Sequence, residues 1–191
     1  MRLQNFFFEN KTTLELAKDL IGKVLVVKTK EGTIKGIINE TEAYTEEDES
    51  CHAFGGNRTK RNEVMFWDAG HLYVYFTYGM YHCCNIVTGE KDCAEAVLIR
   101  SIIPIEGIEI IKKNRNWTKN TLKGLIDGPG KLCQGLNLNK LYNGINLLEN
   151  LEIYIEDLGY FCKDMKNTTR IGISKAKDLE WRFYAKEFVK E

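Results

Sequence analysis

Strand-patterned segments outnumber helical ones in this chain and do not alternate with them. KVLVVKT (23–29) and TIKGIINETEAY (33–44) are separated only by Lys30-Glu31-Gly32, a link that folds one strand back on the other. EAVLIRSII (95–103), LEIYIED (151–157), RIGIS (170–174) and WRFYA (181–185) add further strands, the first ended by Pro104. Between 71 and 89 lies HLYVYFTYGMYHCCNIVTG, in which Tyr73, Tyr75 and Thr77 alternate with Val74, Phe76 and Tyr78. That run predicts a hairpin bent at or near Tyr78-Gly79-Met80. A βαβ architecture needs a helix between successive strands, so the order excludes it. The expectation is an α+β fold: a curved, mainly antiparallel sheet with helices around it. At 191 residues, the chain is expected to form a single domain over 1–191.

Three helices are expected. TTLELAKDLIG (12–22) opens on a capping box, Thr12 with Glu15, and stops at Gly22. Residues 105–124 carry Ile105, Ile108 and Ile111 at helical spacing, with a basic outer side. DGPGKLCQGL (127–136) starts another, with Asp127 as its cap. Residues 45–70 mix turn-formers with an apolar VMFW patch, which predicts an ordered loop of functional rather than connecting length.

The chain has no run of about 18 apolar residues, so no membrane span is expected. MRLQNFFFEN lacks the apolar core and cleavage site of a signal peptide. A cytoplasmic location follows, in which the six cysteines stay mostly reduced. Net charge is zero, but it is unevenly spread. Residues 31–50 hold one Lys and seven Asp/Glu, and residues 111–140 hold seven Lys/Arg and one Asp. Such asymmetry fits one acidic and one basic face, or two solvated surfaces without a partner.

Several segments hold residues fit for chemistry. In 40-ETEAY-44, Glu40, Glu42 and Tyr44 share one strand face and Thr41 and Ala43 the other. A carboxylate leaving a half-buried strand beside a tyrosine is a candidate general base, or else an ion-paired surface residue. Cys51-His52 and His82-Cys83-Cys84 are metal-ligand types. Adjacent strand residues point to opposite faces, however, so the second set does not converge, and buried free thiols are the reading that remains. His52-Ala53-Phe54-Gly55-Gly56 followed by NRTKRN puts Arg58, Lys60 and Arg61 together, suited to a phosphate backbone or simply solvated. An exposed aromatic ring at a hairpin tip has a physical use: enzymes acting on a base inside a duplex extrude it, stack it on aromatic rings and fill the gap with a wedge.

Taken together, the segments ETEAY (40–44), DESCHAFGGNRTKRNEVMF (48–66), LYVYFTYGMYHCCNIVT (72–88), AVLIR (96–100), GPGKLCQGL (128–136), RIGI (170–173) and RFY (182–184) resemble the alkyladenine (3-methyladenine) DNA glycosylase family, the type found in mammals and many bacteria. The resemblance covers nearly the whole chain. It implies a monofunctional glycosylase, nucleoid-associated and monomeric, that flips an alkylated or deaminated purine (3-methyladenine, hypoxanthine or ethenoadenine) out of duplex DNA. The N-glycosidic bond is then hydrolysed by water. Glu42 matches the general base and Arg100 the arginine that holds the water and carboxylate. Tyr44, His52 and Tyr75 match residues that sandwich and hydrogen-bond the flipped base. Asn85 matches a pocket asparagine that crowds the 2-amino group of guanine, and Ile171 lends pocket backbone. Tyr78 matches the intercalating tyrosine of a protruding hairpin, with Met80 beside it. Thr59, Lys60, Arg61 and Lys131 match segments near the DNA backbone. The implied partner is double-stranded DNA containing damaged purines, with no metal, cofactor, membrane or obligate protein partner. WDAG (67–70), the Cys83-Cys84 pair and His82 depart from the family pattern beside the wedge, and zero net charge is low for a DNA binder. Two other readings use the same residues: a non-catalytic nucleic-acid-binding module with an aromatic stacking platform, and a hydrolase of free nucleosides.

Overall fold

Thr12 and Glu15 form the capping box. The Thr12 amide donates to Glu15 Oε2 at 2.8 Å, and the Glu15 amide donates to Thr12 Oγ1 at 3.3 Å. An N-cap of this kind contributes about 1 kcal/mol. It starts helix α1 (Thr13–Asp19), whose Leu16 and Ala17 are fully buried, as is Leu20 just past its end. Burying one such leucine contributes roughly 1.5–3 kcal/mol, so packing rather than helix propensity holds α1 in place.

The computed structural model describes residues 1–190. After α1 come β1 (Val24–Thr29), β2 (Gly32–Tyr44), β3 (Leu72–Thr77), β4 (Tyr81–Val87) and β5 (Ala96–Glu106). Helices α2 (Ile108–Asn114) and α3 (Pro129–Gly135) follow. The chain then adds β6 (Ile153–Glu156), β7 (Tyr160–Phe161), β8 (Lys166–Thr168), β9 (Arg182–Tyr184) and β10 (Val189–Lys190). The α+β expectation holds. The main sheet runs β3-β4-β5-β2-β1-β6, with β9 on β2 and β8 on β9, and every pairing is antiparallel.

β2 is the axis of this sheet. Its first half pairs with β1, and Glu40–Glu42 pair with both β5 and β9. Register shifts against β5 fall between Ile38 and Glu40 and between Glu40 and Thr41, immediately before the candidate base. Bulges of this kind bend a strand and re-aim its side chains. The main core, with Leu16, Ile34, Ile38, Ile99 and Leu132, lies between the sheet and the helices. A second core forms where Val64, Met65 and Phe66 of the expected loop pack on Tyr73, Val87 and Ala96. The VMFW patch therefore anchors residues 45–70 to the sheet, although Trp67 stays partly exposed.

Four local expectations need correction. Pro104 does not end β5, which continues to Glu106; Pro104 faces Gly36 next to a register shift, where its missing donor is tolerated. The 105–124 helix is only one short element. Asn116 adopts φ 47°, and the amides of Asn116 and Trp117 close back on Lys113 and Lys112 in a Schellman stop. Asp127 is not the cap of α3: Gly128 occupies that position, and Asp127 bridges Ser101 instead. Residues 170–174 are not a strand, since Gly172 at φ 80° breaks the extended run. Strands β7, β8 and β10, two or three residues each, carry too little pattern to be read in advance.

Candidate active site

The alternation in ETEAY is realised. Thr41 is buried on the helix side, its hydroxyl donating to the Ala17 carbonyl at 2.7 Å, while Glu42 and Tyr44 face the other way. Glu42 is fully buried. An unpartnered carboxylate there would lose several kcal/mol of hydration, and three donors offset that loss. The Tyr44 hydroxyl donates to Glu42 Oε2 at 2.8 Å, and the Ile171 amide donates to Oε1 at 2.8 Å. The Arg100 guanidinium stands 3.2 Å from Oε1. Oε1 thus faces two donors and Oε2 one, so acceptor capacity remains on Oε2.

Arg100 is held in turn. Its Nε donates to Glu40 Oε1 at 2.7 Å, and Arg182 donates to the same oxygen at 2.8 Å. Burial would lower the Arg100 pKa, but the Glu42 and Glu40 carboxylates outweigh it and the net shift is upward. Burial, then Glu42, raises the Tyr44 phenol, so that hydroxyl stays protonated and donating.

Glu42 lies at the wall of a cavity of about 570 Å³. Tyr44, His52, Tyr73, Tyr75, Asn85, Leu98 and Arg100 line it, along with Ile171 and the residues after it. One side is aromatic. The His52 and Tyr75 rings meet edge to face at 4.5 Å between centroids, and Tyr73 lies 5.3 Å from Tyr75. His52 Nδ1 and the Tyr73 hydroxyl are 3.0 Å apart. Packing around the ring, and secondarily Arg61, lowers the His52 pKa; the residue stays open along the cavity, which tempers that shift. Asn85 is buried, and its Nδ2 donates to the Tyr73 carbonyl at 3.1 Å. Burial pushes the Cys83 thiol beside it up to about 11.

The cavity is thus aromatic on one side and holds the buried, ion-paired Glu42 carboxylate at its wall. A family model for methylpurine-DNA glycosylase matches residues 6–188. The chain belongs to the methylpurine-DNA glycosylase family. A relative from Clostridium perfringens, named "Putative 3-methyladenine DNA glycosylase", is 46% identical over 98% of this chain and 97% of its own length. Relatives of the same name from Francisella tularensis and Clostridium novyi are 49% and 40% identical, covering 92% and 98% of this chain and 91% and 96% of their own lengths.

The structure gathers Glu42, Tyr44, His52, Tyr75, Asn85, Arg100 and Ile171 around this cavity, with Tyr78 at its margin. Tyr78 is 77% exposed and in the left-handed region at φ 50°, followed by Gly79 at φ 69°. Its hydroxyl stands 3.9 Å from where a Cβ on Gly172 would lie, across the cavity. Met80 is exposed too, but lines a separate cavity of about 290 Å³ with Tyr81 and His82. Thr59, Lys60, Arg61 and Lys131 are exposed and outside the main cavity. Arg61 lies over the Tyr75 ring at 5.4 Å, and Lys131 is paired with Asp127 at 2.8 Å. Arg58, grouped with the basic loop from its sequence, is occupied by Glu63 and Asp92, both at 2.6 Å. No group of three or more His, Cys, Asp or Glu among the described residues is placed to hold a metal.

Four contributing residues were not assigned a role from the sequence. Glu40 holds Arg100, as above. Asn62 is buried and donates to the carbonyls of His52 (2.9 Å) and Asn57 (2.8 Å), which fixes the loop carrying His52. Arg170 and Asp48 form a buried ion pair behind Tyr44. Each sits inside a quoted motif; the Glu40–Arg100 and Asp48–Arg170 contacts span 60 and 122 residues and leave no local signal.

Proposed function

We propose that this protein releases damaged purines from duplex DNA by hydrolysing the N-glycosidic bond, as a monofunctional glycosylase. The observation that carries the reading is Glu42: a fully buried carboxylate, fixed by Tyr44, Ile171 and Arg100, facing an aromatic cavity of about 570 Å³. The extruded base stacks between Tyr44 on one side and His52 and Tyr75 on the other. Water bound at Glu42 attacks C1′; the glycosidic bond breaks with its electron pair passing to the departing purine, and the water's proton passes to Glu42. Positive charge develops on the sugar along the way, and the carboxylate stabilises it. Arg100 orients water and carboxylate. Asn85 narrows the cavity against the 2-amino group of guanine. The substrates that fit are 3-methyladenine, hypoxanthine and ethenoadenine.

Outside the cavity, the hairpin acts as a wedge: Tyr78 enters the space left by the extruded nucleotide, with Met80 alongside. Lys60, Arg61, Thr59 and Lys131 meet the phosphate backbone. The partner is double-stranded DNA.

The test is a labelled duplex carrying a single ethenoadenine or hypoxanthine, incubated in EDTA with wild type or Glu42→Gln and then split for alkali treatment. Strand cleavage only after alkali, and only with wild type, is the expected result. Equal base release by Glu42→Gln removes Glu42 as the base. Tight lesion binding without release by wild type, also seen on alkylated genomic DNA assayed for free 3-methyladenine, identifies a binding module instead.

A further inference from the structure

The Ile171 amide is one of three donors that fix Glu42, yet nothing about Ile171 itself explains its position. Ile171 is 52% exposed, and the chain from there to Ala176 has no regular structure. What is anchored is the preceding residue. The Arg170 side chain is wholly buried, as is that of Asp48. Its Nη2 donates to Asp48 Oδ1 at 3.0 Å and its Nη1 bonds Asp48 Oδ2, a two-pronged pair. Nη1 also donates to the Ala43 carbonyl at 2.9 Å, between Glu42 and Tyr44. The guanidinium lies 4.7 Å from the Tyr44 ring centre and 5.2 Å from that of Trp181. Asp48 also accepts the Ser50 amide (3.0 Å) and hydroxyl (2.8 Å), two residues before His52.

From this arrangement we infer that the Asp48–Arg170 pair is a positioning device for base release, joining three walls of the cavity and setting the Ile171 amide on the Glu42 carboxylate. A stabilising role alone accounts for it poorly. Removing two charges from water offsets most of their attraction, and buried pairs are often no better for stability than apolar groups of similar volume. This pair carries a further penalty, because Arg170 Nε is buried and finds no acceptor among the described residues. The geometry that results serves the site. The Ala43 carbonyl fixes the end of β2, Tyr44 is backed by a cation, the Ser50 contacts hold the approach to His52, and Ile171 is delivered to Glu42. Arg170 and Asp48 act through these groups and not on the substrate.

This inference rests on the glycosylase reading, and the experiment separates the two. Wild type, Arg170→Lys, Asp48→Asn and Ser50→Ala are compared on an ethenoadenine duplex under single-turnover conditions at saturating enzyme, together with lesion-duplex affinity. Arg170→Lys keeps the charge but loses the fork, and Asp48→Asn keeps the shape but loses the charge. Both are expected to release base at least tenfold more slowly, with lesion affinity within twofold of wild type. Ser50→Ala, which removes only one hydroxyl, follows the same pattern at about threefold. In ¹⁵N-labelled protein, the Ile171 amide proton shifts upfield in Arg170→Lys, toward its position in Glu42→Gln. If wild type releases no base, the glycosylase reading fails first. If wild type is active and a folded variant matches its rate, or if rate and affinity fall together, the pair is structural and the inference is overturned.

Discussion

Glu42 is the fully buried carboxylate at the cavity wall, and its partners define what can be tested one side chain at a time. Tyr44→Phe removes the 2.8 Å bond to Glu42 Oε2 and leaves the ring. A hydrogen bond to a charged group contributes roughly 1.5–3 kcal/mol, so single-turnover base release should fall about 10- to 100-fold. An unchanged rate means the hydroxyl does not hold the base in place. His52 has a different signature. Its folded pKa lies below the ordinary imidazole value of 6.5, with burial first and Arg61 second as causes. The unfolded chain therefore takes up a proton that the folded protein resists, and stability declines as pH falls below about 6.5. Against His52→Gln, wild type should lose up to about 1 kcal/mol more between pH 7 and 5 in denaturant titrations, kept small because the residue remains open to the cavity. Equal losses would mean the ring titrates normally. At this scale strand alternation alone put Tyr44 on the face of Glu42. It did not reveal that Arg170 binds the Ala43 carbonyl 127 residues away, because no periodicity encodes such a contact.

Among the elements, the hairpin of β3 and β4 shows a local conflict that the sequence announced. Tyrosine is a poor occupant of a left-handed turn position, where an L-residue with a Cβ is strained by roughly 1–2 kcal/mol, yet Tyr78 holds φ 50° there. Asparagine tolerates that conformation better. Tyr78→Asn should leave the melting temperature unchanged or raise it by a few degrees while weakening lesion-duplex binding at least tenfold. A variant that binds as tightly as wild type would show that the tip is not a wedge. The hairpin itself was legible because alternation over residues 73–78 runs directly into Gly79 and a second strand-forming run. The 105–124 helix was misread because isoleucines at helical spacing continue out of β5, a strand buried on both faces, where spacing does not discriminate. The short strands β7, β8 and β10 were invisible: two or three residues do not make a pattern, and their pairing is fixed by partners far away.

For the molecule as a whole, zero net charge leaves binding to local cations. Arg58 is already neutralised by Glu63 and Asp92, whereas Lys60 has no ion-pair partner among the described residues. Each phosphate contact contributes about 0.9 to the slope of log affinity against log salt. Lys60→Ala should lower the slope by about that much, and Arg58→Ala should leave it nearly unchanged. The opposite result would place the phosphate contact at Arg58. Charge counts along the sequence identified where cations cluster but could not separate a free cation from a paired one.

The two sides of the cavity are built differently. Glu42 stands where β2 is paired on both edges, by β5 and by β9, while the adjoining wall starts from the buried Arg170 and, beyond Ile171, continues as exposed, irregular chain. Amide exchange should follow that division, with the β2 floor exchanging only through global opening and residues 172–176 through local fluctuation. On the proposed glycosylase reading, such a pocket would adjust its width to bases of unequal outline while the Glu42 carboxylate stays where it is. Tolerance of shape and fidelity of chemistry would then belong to separate pieces of the chain.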